Sequence, residues 1–246
     1  MSTADPANAR AWCRERLAAP GEDLALAALF TAPTLRPAVT ATAALYVELE
    51  TVATRFRDLD VARTKLGWWR DELTRLDAGR PAHPATRLFA ASGIAPPVVA
   101  LGDLLTGFEL ILLEGPVNDL AAARLHAERG YARLALVLSQ LFATADTAST
   151  PLARLGVAMG LARVLALRST VGEVRAGIAA AARDGLRGTA PELRSLPPPL
   201  RVLAALAWQR ANGAPQGATG HGVRRGRVIK AWRAARGRLP RELIRA

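Results

Sequence analysis

Apolar residues recur at helical spacing along most of this chain, and proline and glycine separate the runs. The breaks predict helices over residues 6–18, 22–30, 36–57, 61–77, 84–91, 97–114, 118–145, 151–168, 171–186, 198–210 and 223–236. Segments 36–57 and 61–77 read as an antiparallel pair, the second closing at Gly79-Arg80-Pro81. Asn118 or Asp119 supplies an N-cap for the longest helix. Thr150 stands before Pro151, a proline at a first helical position. Segments 188–199 and 212–222 are rich in Gly and Pro and read as exposed loops. There is no internal repeat and no strand alternation. The expectation is an all-α, single-domain antiparallel bundle over residues 1–220, followed by a basic C-terminal helix or tail over residues 221–246.

Composition agrees with this reading. Of 246 residues, 50% are hydrophobic but only 5% aromatic, with alanine and leucine supplying most of the apolar set. A single cysteine, Cys13, excludes an internal disulfide framework and a cysteine-based zinc site. His83, His126 and His221 are too dispersed to suggest a metal site, so none is expected. The most apolar stretch, residues 96–113, contains Asp103 and Glu109 and begins with two prolines, which argues against a membrane span. Asp5, Arg10, Arg14 and Glu15 near the start argue against a signal peptide. A reduced, cytoplasmic setting is expected.

Charge changes the picture only at the end of the chain. The net charge is +12, but lysine occurs only at Lys65 and Lys230, and the excess gathers after Gly220. There, nine basic residues from Arg224 to Arg245 face one acid, Glu242. Val228, Trp232, Ala235 and Leu239 fall near one helical face, with basic residues on the others. Arg227, Lys230, Trp232 and Arg233 are therefore candidate contacts to an anionic membrane surface, and peripheral attachment to an inner membrane fits them. A solvated extension and an arm binding nucleic-acid phosphates are the competing readings. Because the rest of the chain is nearly balanced, nucleic acid is the less favoured partner.

The most informative motif is Lys65-Leu66-Gly67-Trp68-Trp69-Arg70-Asp71-Glu72-Leu73, followed by His83-Pro84. Adjacent tryptophans on a helix point about 100° apart, which predicts burial on more than one side or a bordering apolar cavity. Arg70, Asp71 and Glu72 read as a solvated face, and His83 as a turn cap. Ala44-Leu45-Tyr46 lies upstream; Gly130-Tyr131 and Leu155-Gly156-Val157-Ala158-Met159-Gly160-Leu161-Ala162 follow downstream.

In this order the segments resemble the squalene/phytoene synthase family, over about residues 44–211. The resemblance implies an all-helical isoprenoid-synthase fold and places Tyr46, Trp68, Trp69, Tyr131 and Met159 around a ligand cavity. Family enzymes join prenyl diphosphates, holding magnesium through aspartate-rich motifs on two facing helices. Here the first motif's expected aspartate positions are Ala53, Thr54 and Arg57, and the second motif's continuation is Arg163 to Glu173 with one acid. Leu136 stands where the family has a small residue. The pattern is closer to non-catalytic relatives, including those that assemble respiratory complex I. That implies a degenerate member with no cofactor, binding a prenyl or lipid-like ligand or a protein partner. An active prenyl diphosphate transferase would have to use Glu48, Glu50 and Asp58 with magnesium. A basic nucleic-acid-associated helical protein is a further alternative.

Overall fold

Helix boundaries follow the proline and glycine breaks closely. The computed structural model describes residues 6–18, 22–56, 58–142, 150–166, 172–213 and 221–244. The first half holds α1 (Pro6–Arg16), α2 (Glu22–Leu29), α3 (Arg36–Arg55), α4 (Leu59–Asp77), α5 (Pro84–Ala90) and α6 (Val98–Glu114). Next come α7 (Leu120–Ala127) and α8 (Arg133–Gln140), continuous through a π-helical turn at Glu128–Ala132. The set closes with α9 (Thr150–Val164), α10 (Gly172–Gly188), a 3₁₀ turn (Glu192–Arg194), α11 (Pro198–Ala211), α12 (His221–Ala235) and α13 (Arg241–Ile244). Among the described residues every regular element is helical.

Two helices are internal. α3 is buried around most of its circumference, through Ala41, Ala44, Leu45, Val47 and Leu49 among others, and packs against α1, α2, α4, α5, α6 and α8. A helix apolar on all sides belongs in a core, and its alanines let several neighbours approach at once. α9 is the counterpart in the second half, enclosed by α7, the π turn, α8, α10 and α11. Its glycines set that enclosure. A Cβ on Gly156 would lie 2.5 Å from Ala132 Cα, and one on Gly160 would lie 2.7 Å from Ala127 Cβ. From the other side, Gly107 of α6 abuts the backbone carbonyl of Arg129. The widened turn that carries Tyr131 is thus clamped between α6 and α9.

Several features depart from the sequence reading. Residues 188–199 are not an exposed loop: Thr189, Ala190, Leu193 and Leu196 are buried. Most of 212–222 lies outside the described residues. Residues 221–244 are no solvated extension either: α12 packs on α11 and α2 and buries Ala231 and Ala234, and Leu239 and Leu243 beyond it are buried too. The expected apolar face is displaced: Val228 and Trp232 are exposed, and two alanines make the inward contact. Large side chains drew the expected stripe, but close helix contact here needs small ones.

The tryptophan helix also differs from expectation. Trp69 is 4% exposed, whereas Trp68 is 42% exposed, so α4 is buried on one side only. The two rings meet edge to face, 5.2 Å between centroids, and Trp69 and Trp12 each pack against His83 at 4.5 and 4.6 Å. Glu72 is fully buried, contrary to a solvated face. It accepts from the backbone amides of Ala82 and His83 at 2.8 Å each, from Arg75 Nε at 2.8 Å, and from the Thr86 hydroxyl. One carboxylate therefore organises the α4–α5 turn. His83 caps α5, its Nδ1 accepting from Ala85 N at 3.1 Å, as the sequence suggested.

Truncation of the two tryptophans should separate these roles. Trp69→Ala should cost about 3–5 kcal/mol and Trp68→Ala about 1–2 kcal/mol, the scale of ring pairing at a half-exposed site. Urea unfolding monitored by circular dichroism checks both; equal losses would contradict the one-sided burial.

Candidate functional site

The interior between α3 and α9 is charged. Glu50, in the apolar α3, and Arg163, near the end of α9, face each other as a two-pronged pair. Arg163 Nε donates to Glu50 Oε1 at 3.0 Å and Nη2 donates to Oε2 at 2.5 Å. Both are buried. Tyr46 Oη, one helical turn before Glu50, donates to Oε1 at 3.1 Å. The Tyr46 ring packs edge to face on Phe108 and Tyr131, with centroids 5.3 and 5.5 Å apart. Burial alone would raise the Glu50 carboxyl, but the Arg163 guanidinium outweighs it and holds the group below the usual carboxylate range. Burial and then Glu50 push the Tyr46 phenol well up. This is a carboxylate kept ionised by a built-in cation.

A second buried network lies beside the first. Asp23 of α2 accepts from Arg210 of α11 and Arg227 of α12, and Arg227 also reaches Glu22 at 2.5 Å. Burial opposes ionisation of Asp23, yet Arg210 and Arg227 together depress its pKa. Tyr131 is raised by burial first and by Asp23 next, so it stands within the field of both networks.

At the α3 C-terminus the surface opens into two adjoining clefts of about 330 and 200 Å³, which share Gly115, Pro116, Val117 and His126. Ala53, Thr54 and Phe56 line the smaller. His126 is buried, and its Nε2 has no hydrogen-bond partner. Burial lowers its pKa against the pull of Glu50 and Glu114, which keeps the ring neutral. Among the described residues no lysine or arginine lines either cleft.

The residues expected from the sequence are distributed among several places. Tyr46 and Tyr131 meet, and Met159 is buried on α9. Trp68 and Trp69 belong to the separate cluster with His83 and Trp12. None of these five lines the two clefts; the buried rings fill space rather than border it. The candidate acids do not converge. Glu48 pairs with Arg16 of α1, Glu50 with Arg163, and Asp58 caps α4, accepting from Asp60 N at 2.9 Å and Val61 N at 3.1 Å. Among the described residues no three His, Cys, Asp or Glu side chains gather in a way that could hold a metal ion. Arg227 turns inward to Asp23, which corrects its reading as a membrane contact. Trp232 is 38% exposed with the Arg236 guanidinium 4.3 Å from its ring centroid. Arg57 and residues 167–171 lie outside the described residues.

The family model for squalene/phytoene synthase matches residues 17–170. The chain belongs to that family. No curated protein matches the chain. The fold is accordingly the all-α isoprenoid-synthase fold. Among the described residues a family magnesium cluster finds no fit: Ala53 and Thr54 offer no carboxylate at the cleft, and the buried carboxylate of Glu50 is already taken by Arg163.

Arg163, Asp23, Arg210 and His126 were not singled out by sequence. A usable signal was present for Arg163, a lone charge between Leu161-Ala162 and Val164-Leu165, which demands a buried partner.

Two predictions follow from this geometry. Glu50→Gln should destabilise by about 3–5 kcal/mol by stranding the Arg163 charge, whereas Glu50→Leu with Arg163→Met should recover most of the loss. A double-mutant cycle in urea checks this, and additive losses would contradict direct pairing. The second concerns pH. Burial pulls His83 down to about 4, so the folded form stays neutral where an unfolded histidine, near 6.5, takes up a proton. Below about 6.5 the unfolded state binds more protons, so stability should fall as pH drops toward about 4 and the histidine contribution should then level off. His83→Asn keeps a capping side chain and should flatten the decline in that window, read as the urea midpoint against pH.

Proposed function

We propose that this chain is a catalytically silent member of the squalene/phytoene synthase family, a helical scaffold that acts by binding. The observation that carries this reading is the Glu50–Arg163 pair. In the family's chemistry, carboxylates on two facing helices are bridged by magnesium, which neutralises a departing diphosphate. Here the helix of the first motif and the helix of the second are bridged by a guanidinium attached to the chain. A permanent internal cation satisfies the carboxylate and leaves it nothing to offer a metal.

The adjoining clefts support the same reading. Among the described residues neither cleft has a lysine or arginine in its lining, and the lining acid Glu114 is already paired with Arg129, so no set of free cations faces a diphosphate there. An apolar wall and one neutral histidine suit an uncharged group: the end of a lipid-like chain, or a side chain of a protein partner in an assembly role. An active transferase built on Glu48, Glu50 and Asp58 is less well supported, since each acid is engaged by a different partner.

With farnesyl or geranylgeranyl diphosphate and magnesium, the purified protein should release no pyrophosphate above a protein-free control. Magnesium-dependent release that disappears in Glu48→Ala or Glu50→Ala would overturn the proposal.

A further inference from the structure

A large cleft lies far along the chain from the first motif, between α11, α12 and α13. It encloses about 1040 Å³, at the upper end of the range for small-molecule sites. Its walls carry Arg194, Lys230, Arg233, Arg238 and Arg241 against one acid, Glu242. Among the described residues none of these five cations forms an ion pair. By contrast, the three arginines turned inward at Glu50 and Asp23, Arg163, Arg210 and Arg227, are each given a carboxylate. Unpaired like charges around a concavity repel one another and focus a positive potential into it, a cost that an anion would remove.

Two further features narrow the ligand. Trp208 and Leu239 give the cleft an apolar wall. Gln209 Oε1, on the same lining, is buried and has no hydrogen-bond partner, so the site contains an acceptor short of a donor. A phosphate ester carrying a hydroxyl or amine and an apolar portion would answer the cations, the amide oxygen and the wall together.

We propose that the cleft between α11, α12 and α13 binds a phosphate-bearing amphipathic anion. This inference does not depend on whether the family chemistry survives. The phosphate could come from a soluble phosphorylated metabolite or from an anionic lipid headgroup; α12 also exposes Ile229 and Trp232, each next in sequence to a lining cation, Lys230 and Arg233.

Binding is tested on the full chain with two probes: inorganic pyrophosphate by titration calorimetry, and phosphatidylglycerol vesicles against phosphatidylcholine vesicles by co-sedimentation. Lys230→Glu with Arg233→Glu should weaken binding of at least one probe by tenfold or more. Arg63→Glu with Arg80→Glu, an equal charge change on and just after α4, should leave it within about twofold. Circular dichroism verifies folding, and Arg241→Glu alone serves should the cleft pair fail to fold. Binding of pyrophosphate alone identifies a soluble source; binding of vesicles alone, weakening as salt rises, identifies a headgroup. Absence of binding to both, equal weakening by the two charge-reversed pairs, or tighter competition by duplex DNA would overturn the proposal.

Discussion

The buried pair between Glu50 and Arg163 is the constraint on which the interior depends. Each charge sits on the buried side of its helix, so neither can reach water without unpacking the helix that carries it. Bringing such charges out of water costs several kcal/mol per ion, and only a close, two-pronged contact with further hydrogen bonding offsets that cost. The Tyr46 hydroxyl supplies the extra bond, and its ring is in turn fixed by Phe108 and Tyr131. One electrostatic contact therefore ties α3 to α9, two helices that share no extensive packing of their own. Apolar packing alone would tolerate small slips along alanine-rich helices; a guanidinium facing a carboxylate does not.

The Asp23 network applies the same logic to the ends of the chain. Asp23 is near the N-terminus, while Arg210 and Arg227 come from the last third, so the pairing closes the bundle over nearly two hundred residues of sequence. This gives the arginine-rich composition two distinct physical roles. Some guanidiniums are buried structural partners, chosen because a planar fork holds a carboxylate at two points. Others, concentrated around the α11–α13 cleft, have no such partner and account for the positive field there. Net charge along the sequence adds these populations together and assigns the excess to a tail. Folding separates them, and turns Arg227 of that same segment inward onto the buried Asp23.

How much was legible follows from which signals are local. Proline and glycine breaks act within a few residues, so the helices from Glu22–Leu29 to Pro198–Ala211 start and stop close to where the pattern put them. The Asp119 cap and the His83 cap are equally local and were readable. The π turn was not, because nothing in Glu128–Ala132 breaks a helix; it forms where Gly107 and Gly160 bring α6 and α9 against the same stretch. Trp68 and Glu72 exchanged their expected places for a related reason. Size suggested that both tryptophans were inside and charge suggested that Glu72 was outside, yet the open amides of the α4–α5 turn needed an acceptor. Long-range pairing, the source of the Glu50–Arg163 site, leaves only the indirect mark of a charge in an apolar run.

These distinctions explain how a chain can keep its family's pattern for reasons of packing alone. The recognisable motifs here have packing work to do. Gly156 and Gly160 permit a helix crossing that any side chain would block. Tyr131 fills the space beside Tyr46, Trp69 and His83 form one aromatic corner, and Glu72 satisfies a turn. None of these roles requires a metal or a diphosphate. Carboxylates that gather magnesium, by contrast, repel one another when the metal is absent and contribute little to the fold. Replacing one member of such a set by a guanidinium turns that repulsion into attraction and converts a reactive centre into a structural one. In this chain the arrangement of Arg163 on Glu50 has the form such a conversion would take, with the cation supplied by the second motif's own helix.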